Sequence, residues 1–282
     1  MAETPGAGKR GWSDATLLLV GHGSRLNSAS SRAARLVADD LKERALFGEV
    51  RAAFLRDEPP LRGALQGVET PIVYVVPYFA CRGHMTAQVI PAELGLEGPA
   101  ADRVGGEGGR QRILVCDPVG DHPRVPAIVA GRVRRVMADH RLVPERTRVM
   151  IVGHGTDRDT ESERRTREVA LALRDHGVEA SAEAAFIEQE PLVDLWAERS
   201  PATDAIMVPY FMSLGYHVAD DIPARLGLNP DDPGLARLGR EWPAAGPYEV
   251  SGRRLWYTRA VGYEPEMADL VVETVAAMDR SG

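Results

Sequence analysis

The chain has 282 residues, which is enough for one large domain or two ordinary ones. Its composition, 44% hydrophobic and 27% charged, is typical of a folded globular protein, and no apolar run approaches the roughly 20 residues of a membrane-spanning helix. The net charge of −7 argues against nucleic-acid binding, and two cysteines, Cys81 and Cys116, are too few for a disulfide framework or a cysteine-ligated iron–sulfur cluster. Because the first residues lack the apolar stretch of a secretory signal, we expect a flexible tail over residues 1–14 and a cytoplasmic protein without a membrane partner.

The first half of the chain alternates between strand and helix patterns. Buried strands are predicted at four apolar runs, residues 15–20, 49–55, 71–76 and 113–116. Helices are predicted over residues 28–43, in a short segment opened by Pro59 and Pro60, over residues 86–94, and from Pro123 onward. The glycine-rich stretch 97–109 is predicted to be a surface loop. Alternation of this kind indicates an α/β fold with a parallel sheet and helices on both faces.

The same pattern occurs a second time at a constant offset. His22 corresponds to His154, an offset of 154 − 22 = 132 residues. Four separate motifs share this offset and lie at residues 17–24 and 149–156, 53–55 and 185–187, 76–79 and 208–211, and 90–92 and 222–224. A repeat of this length predicts two similar structural units. We therefore predict an N-terminal lobe over residues 15–142 and a C-terminal lobe over residues 146–282, with a cleft between them.

A Gly-His-Gly motif closes the first predicted strand of each copy. It contains His22 in the first copy and His154 in the second. Ligands of open α/β sheets bind beyond the carboxyl ends of the strands, and histidine is the commonest metal ligand in proteins. A metal-binding role is therefore favoured over the alternative that each histidine merely caps a tight turn.

The second copy supplies two further candidate ligands. Glu188 follows the strand that ends near Ile187, and His217 lies in the loop after Val208–Phe211. Two imidazoles and a carboxylate suit a late first-row divalent metal. We therefore predict that His154, Glu188 and His217 form the metal site.

The first copy departs from this set of ligands. Arg56 stands where the second copy has Glu188, and by the constant offset His84 corresponds to Tyr216 and not to His217. His84 is a ligand only if the loop absorbs a shift of one residue. We therefore expect His22, and with that shift His84, to contribute from the first lobe, and we keep Cys81 as an additional ligand candidate.

The repeated motifs resemble those of the class II sirohydrochlorin chelatases. The resemblance rests on Val-Gly-His-Gly-Ser, Val-Pro-Tyr-Phe, Gly-Tyr-His-Val-Ala-Asp-Asp-Ile-Pro and Asp-Pro-Val-Gly-Asp-His-Pro, and it extends from about Thr16 to Ala277. It implies flavodoxin-like lobes and a lyase that inserts Co²⁺ or Fe²⁺ into sirohydrochlorin, in cobalamin or siroheme biosynthesis, without an organic cofactor. It also implies that His154, His217 and His22 handle the metal.

Other residues are candidates for contacts with a flat, carboxylate-bearing tetrapyrrole. Four aromatic residues are predicted either to flank the ring or to pack in the core: Tyr78, Phe79, Tyr210 and Phe211. Arginines hold carboxylates in a two-pronged manner, and the candidates are Arg158, Arg225 and Arg25, with Arg56 and Arg82 as further possibilities in the first lobe.

Two questions of assembly and activity follow from the same residues. Long members of the resembled family are single two-lobed chains and short members are homodimers, so we expect a monomer with pseudo-twofold lobes and keep a dimer as the alternative. The competing function is a non-catalytic tetrapyrrole- or metal-binding carrier or sensor, which would use the same site without turnover.

Overall fold

The structure, a computed structural model, describes residues 11–25, 27, 29–104, 109–156, 160–239 and 242–281. The first ten residues of the predicted tail therefore lie outside the described residues, whereas residues 12–14 already belong to the first strand. The strands are β1 Trp12–Gly21, β2 Phe47–Phe54, β3 Ile72–Pro77, β4 Ala100–Val104, β5 Arg110–Val115, β6 Thr147–Gly153, β7 Ser181–Phe186, β8 Asp204–Pro209, β9 Ala244–Val250 and β10 Arg253–Thr258. The helices are α1 Ala29–Glu43, α2 Ile90–Glu93, α3 Val125–Asp139, α4 Glu161–Ala172, α5 Ile222–Arg225, α6 Pro233–Ala236 and α7 Met267–Ser281.

The strands form two five-stranded sheets with matching topology. Their orders are β2-β1-β3-β5-β4 and β7-β6-β8-β10-β9. All neighbouring pairs are parallel except β4 with β5 and β9 with β10, which are antiparallel. The predicted two-lobed α/β architecture with largely parallel sheets is confirmed.

Two local predictions about the first lobe are wrong. The stretch predicted as a surface loop over residues 97–109 contains the edge strand β4, whose side chains alternate between exposed and half-buried. Its sequence, Ala-Ala-Asp-Arg-Val, is too polar and too close to glycines to show a strand pattern, and pairing with β5 decides its conformation. The segment after Pro59 and Pro60 forms turns and no helix.

The last helix of each half lies against the other half. Helix α7 packs beside α1 and β3, and Tyr74 of β3 donates a hydrogen bond to Asp279 of α7 at 2.8 Å. Helix α3 packs beside α4, and the ring centroid of His140, just after α3, lies 5.3 Å from that of Trp256 in β10. This exchange of terminal helices joins the two lobes through a continuous apolar core.

Two buried tyrosines link the lobes in a reciprocal manner. Tyr78 of the first lobe donates a hydrogen bond to the carbonyl oxygen of Gly262, and Tyr210 of the second donates to that of Gly120 at 2.7 Å. A Cβ atom on Gly120 would lie 2.1 Å from the backbone oxygen of Ala80, so only glycine permits this approach. We call Tyr78 and Tyr210 the tyrosine links.

A buried ion network adds a second connection between the lobes. Glu264 of the second half lies 2.8 Å from Nε of Arg132 in α3 and 2.6 Å from Nη2 of Arg259. All three residues are nearly inaccessible to solvent, and burial lowers the pKa of Arg132. We call these residues the inter-lobe ion network. Because its carboxylate compensates two buried cations, the network is sensitive to loss of Glu264.

In the part of the chain that the structure describes, no helix is long and apolar enough to cross a membrane.

Candidate functional site

A cavity of about 1280 Å³ lies between the two lobes, at the carboxyl ends of the central strands. Its walls are the loops that follow β1, β2 and β3 in the first lobe and β6 and β8 in the second, together with the first turns of α1 and α4. This is the position at which parallel α/β sheets bind ligands, and the volume is above the range of about 300–1,000 Å³ common for small-molecule sites. The cavity therefore accommodates a large ligand.

His154 and His217 meet on the second-lobe side of this cavity. His154 follows β6 directly, and the turn behind it depends on Gly155, whose φ of +66° favours glycine. His217 is the first residue of a π-helical turn, His217–Asp221, that leads into α5. The two imidazole centroids are 4.8 Å apart and the rings are perpendicular. Both predicted histidines thus lie at one point, exposed by about a third of their side-chain area.

The backbone determines which nitrogen of His154 faces the cavity side. Its Nδ1 atom lies 3.1 Å from the carbonyl oxygen of Gly155. A carbonyl oxygen only accepts hydrogen bonds, so Nδ1 carries the proton and Nε2 carries the lone pair in the neutral ring. His22 has the same arrangement, with Nδ1 at 2.8 Å from the carbonyl oxygen of Gly23. Both Gly-His-Gly turns therefore present Nε2 as the potential ligand atom.

Glu188 lies beside the histidine pair, but the three side chains do not surround one metal position. Its Oε1 atom is 3.7 Å from Nε2 of His154, its side chain is 52% exposed, and it does not line the cavity. Among the described residues, no group of three or more His, Cys, Asp or Glu side chains is arranged to hold a metal ion. The structure thus brings His154 next to both His217 and Glu188 without gathering all three around one point.

His217 is held by a chain of polar contacts that the sequence analysis missed. Its Nδ1 atom lies 2.9 Å from Oδ2 of Asp221, and Oδ1 of Asp221 accepts a hydrogen bond from Nε of Arg225 at 2.8 Å. Arg225 also donates to Asp194 at 3.0 Å. Burial alone would raise the pKa of Asp221, but the hydrogen bonds from His217 and Arg225 hold it below its usual value. The available signal was the spacing of four residues from His217 to Asp221 and again to Arg225.

Arg225, predicted to bind substrate carboxylates, is already paired with two carboxylates of the protein. Its guanidinium contacts Asp221 and Asp194, and its side chain does not line the cavity. Arg158, the other second-lobe candidate, lies outside the described residues.

The first lobe contributes a different set of side chains to the same cavity. His22 is exposed on its wall, with its ring centroid 6.3 Å from that of Phe79. His84 also lines the wall, but the π-helical turn of this lobe begins at Met85, as that of the second lobe begins at His217 (217 − 85 = 132). The loop therefore does not shift by one residue, and His84 occupies the place of Tyr216.

Among the residues that the structure describes, the charged side chains on the wall are all basic. Arg25, Arg56 and Arg82 line the first-lobe side, and none of the described residues lining the cavity is Asp or Glu. Arg82 forms an ion pair with Asp117, outside the wall. Arg56 takes the place that Glu188 occupies in the second lobe (188 − 56 = 132). In a chain with a net charge of −7, this wall is a local cationic surface.

The four predicted aromatic contacts fall into two groups. Phe79 and Phe211 are half-buried and line the cavity, one from each lobe. Tyr78 also reaches the wall, but its hydroxyl belongs to the contact between lobes. Tyr210 is buried, does not line the cavity, and donates its hydroxyl to Gly120. Core packing, the alternative predicted for these residues, therefore describes Tyr210.

Comparisons with known proteins agree with this architecture. The CbiX family model matches the chain twice, over residues 16–136 and 148–278. A protein of Halobacterium salinarum named "Probable sirohydrochlorin cobaltochelatase" is 37% identical over 272 residues, which cover 92% of this chain and 90% of that protein.

Solved structures share the fold. A multi-domain Deinococcus radiodurans protein, described as structurally similar to chelatases with two additional domains, is 27% identical with a TM-score of 0.71. The match covers 93% of this chain and 54% of that one, so this chain spans about half of its length. SirB from Bacillus subtilis with Fe³⁺ is 19% identical, has a TM-score of 0.65 and is matched over 95% of its length and 94% of this chain, which shows a common fold. The two family matches together span most of the sequence, and the chain belongs to the CbiX family.

Proposed function

We propose that this protein inserts a divalent metal ion, Co²⁺ or Fe²⁺, into sirohydrochlorin, the substrate that names its Halobacterium salinarum relative. The observation that carries the proposal is the pair of perpendicular imidazoles of His154 and His217, 4.8 Å apart on the wall of a large cavity between lobes. Imidazole nitrogen suits first-row divalent metals, and a site with few ligands holds a metal that must afterwards leave for the ring.

The histidines also serve the proton balance of the reaction. Insertion of M²⁺ into the ring replaces two pyrrole protons, which must leave as the metal–nitrogen bonds form. As Nε2 of each imidazole releases the metal, its lone pair becomes free to accept one of these two protons. Glu188, 3.7 Å from Nε2 of His154 and half-exposed, is placed to pass a proton from His154 to solvent.

The basic wall of the first lobe supports binding of a polyanionic ring. Arg25 and Arg56 line it, and none of the described lining residues is a carboxylate that would repel the substrate. Guanidinium groups hold carboxylates through paired hydrogen bonds. Phe79 and Phe211 offer apolar surface from opposite lobes to the flat ring. Under this proposal the first lobe anchors the tetrapyrrole, with His22 facing it, and the second lobe delivers the metal.

We further propose that the metal is a substrate and that the reaction uses no organic cofactor. We also propose that the enzyme is a monomer, because the two lobes of one chain already line the cavity from both sides. Light scattering during size-exclusion chromatography tests the monomer directly: a mass of about 30.6 kDa supports it, and twice that mass contradicts it.

The activity is tested with the metal-free protein, sirohydrochlorin and Co²⁺, Fe²⁺ or Ni²⁺ in separate reactions, followed by visible absorption against a control without enzyme. His154→Ala and His217→Ala are each expected to reduce the rate to that of the control. The matched substitution His176→Ala removes an exposed histidine that does not line the cavity and should leave the rate unchanged. Tight binding of ring or metal without turnover would instead support the carrier or sensor function.

A further inference from the structure

We infer that Asp221 is a positioning residue that fixes the imidazole of His217 with Nε2 toward the metal, and that Arg225 in turn fixes Asp221. The inference deepens the proposed function, because it assumes that His217 binds the metal. It rests on two hydrogen bonds, His217 Nδ1 to Asp221 Oδ2 at 2.9 Å and Arg225 Nε to Asp221 Oδ1 at 2.8 Å.

The hydrogen-bonding chemistry of the carboxylate determines the tautomer of His217. An ionised carboxylate only accepts hydrogen bonds, and Oδ1 of Asp221 already accepts one from Arg225. The contact at Oδ2 therefore requires a proton on Nδ1 of His217. A neutral imidazole has one protonated nitrogen, so the lone pair lies on Nε2. Metal-binding histidines commonly have such a partner, and loss of the partner typically lowers metal affinity about 10–100-fold.

The tertiary structure keeps this arrangement rigid. His217 and Asp221 open and close the same π-helical turn, so their spacing is set by the backbone. Asp221 is only 15% exposed on its side chain, and Arg225 is bound on its far side to Asp194, in the segment after β7. His217 is thus connected through two ion pairs to a separate part of the second lobe. His154 lacks such a connection, since its Nδ1 contacts only the neighbouring carbonyl oxygen among the described hydrogen bonds.

The first lobe has the equivalent ion pair, but among the described contacts no histidine is connected to it. Arg62 and Glu93 form an ion pair at 3.3 Å at the positions that correspond to Asp194 and Arg225, with the charges reversed (194 − 62 = 132 and 225 − 93 = 132). An ion pair at this place is therefore common to both lobes and does not by itself indicate a metal site.

What the second lobe adds is the link from the ion pair to a histidine. The first-lobe counterparts of His217 and Asp221 are Met85 and Val89, neither of which can join such a chain. Glu93→Gln in the first lobe consequently breaks the equivalent ion pair without touching a proposed metal ligand, and it is a matched control for substitutions in the second lobe.

The experiment uses the full-length, metal-free protein and its variants Asp221→Asn, Arg225→Gln, the double variant and Glu93→Gln. The first measurement is Co²⁺ affinity by calorimetry without tetrapyrrole. The second is the tautomer of His217, read from the ¹⁵N chemical shifts of its ring nitrogens. Asp221→Asn should weaken Co²⁺ binding about 10–100-fold and shift the tautomer away from protonated Nδ1. Arg225→Gln should have a smaller effect in the same direction, and Glu93→Gln should have none.

The double variant separates a chain of contacts from two independent effects. If Arg225 acts through Asp221, the double variant should bind Co²⁺ no more weakly than Asp221→Asn alone. Unchanged affinity and tautomer in Asp221→Asn would overturn the inference, as would an equal loss in Glu93→Gln. If Asp221→Asn does not fold, Arg225→Gln decides by the same two readouts. Neither Co²⁺ affinity nor the tautomer requires turnover. If the variants behave as expected but the wild-type protein inserts no metal, the proposed function is contradicted and the positioning role of Asp221 still holds.

Discussion

The tyrosine links are equivalent in sequence, yet the structure predicts that their loss has unequal effects. We consider Tyr78→Phe and Tyr210→Phe, each of which removes one hydroxyl and keeps the ring. The carbonyl oxygen of Gly262 accepts only the hydrogen bond from Tyr78 among the described contacts. The carbonyl oxygen of Gly120 accepts from Tyr210 and also from Arg165, whose Nε and Nη2 atoms lie 3.1 and 3.0 Å away.

The difference in acceptors determines the size of the two effects. Tyr78→Phe leaves a buried carbonyl group without a donor, which costs about 1–3 kcal/mol of unfolding free energy. Tyr210→Phe removes the contacts of the hydroxyl with the carbonyl oxygens of Gly120 and Ala80 and with Nε of Arg165, but Arg165 still donates to Gly120, so the loss is about 0.5–1.5 kcal/mol. Tyr78→Phe should therefore be the more destabilising of the two.

Urea unfolding, followed by circular dichroism, measures both losses, provided that the dependence of unfolding free energy on urea stays the same in wild type and variants. The double variant is a useful addition, because the two hydroxyls lie in separate contacts and their effects should add. A larger loss for Tyr210→Phe, or equal losses, would refute the assignment of these hydrogen bonds. A higher KM for sirohydrochlorin with unchanged stability would show instead that the hydroxyls contact the substrate.

Three further predictions concern the cavity and the core. Arg56→Gln should raise KM for sirohydrochlorin roughly tenfold or more, as expected for loss of a hydrogen bond to a charged group, without weakening Co²⁺ binding; an unchanged KM would exclude Arg56 as a carboxylate anchor. Glu264→Gln removes the buried carboxylate that lies beside the guanidinium groups of both Arg132 and Arg259, and it should cost about 3–5 kcal/mol of unfolding free energy in urea, so a loss below about 1 kcal/mol would contradict the burial argument. Burial raises the pKa of the Cys116 thiol to about 12, so iodoacetamide at neutral pH should label Cys81 on the cavity wall first, and bound sirohydrochlorin should slow that labelling.

A fourth prediction concerns pH. Burial lowers the pKa of His122 below its usual value near 6.5, despite the opposing influence of Glu273. The folded state therefore disfavours the protonated ring: the unfolding free energy receives the full benefit above about pH 6.5 and loses it as the pH falls through the lowered pKa. His122→Gln should flatten the decline of stability below pH 6.5 relative to wild type. Parallel declines in the two proteins, measured by urea unfolding at several pH values, would show that His122 does not cause it.

Much of the fold was predictable because the chain repeats its strand and turn signals at a constant offset. Apolar runs such as β1 and β6 are buried on both sides, so their hydrophobic pattern does not depend on distant partners. The Gly-His-Gly turns after them were equally predictable, because glycine readily adopts the positive φ that such a turn requires, as Gly155 does. Edge strand β4 was not predictable, because a polar segment becomes a strand only through pairing with its neighbour.

The candidate site was predicted in part. The constant offset already identified His84 as the counterpart of Tyr216, and the π-helical turns show that the loop keeps this register. His154 and His217 lie close together, and the metal site that they would share stays a prediction. The role of Asp221 was missed, because spacing alone does not show whether a carboxylate four residues away turns toward the histidine or toward solvent.

Sequence by itself therefore determined the duplication, the positions of the Gly-His-Gly turns after their strands and the correspondence of His22 with His154. These depend on hydrophobic periodicity and backbone preferences, which are local. Only the tertiary structure decided that α3 and α7 pack against the opposite lobes, that Tyr210 lies in a lobe contact, and that Arg225 supports Asp221. The contacts between lobes depend on which buried polar groups find partners far along the chain, as Arg165 does with Gly120 45 residues away, and no local pattern encodes that pairing. The Arg225–Asp221 contact is local, but the direction in which each side chain turns depends on what packs around it.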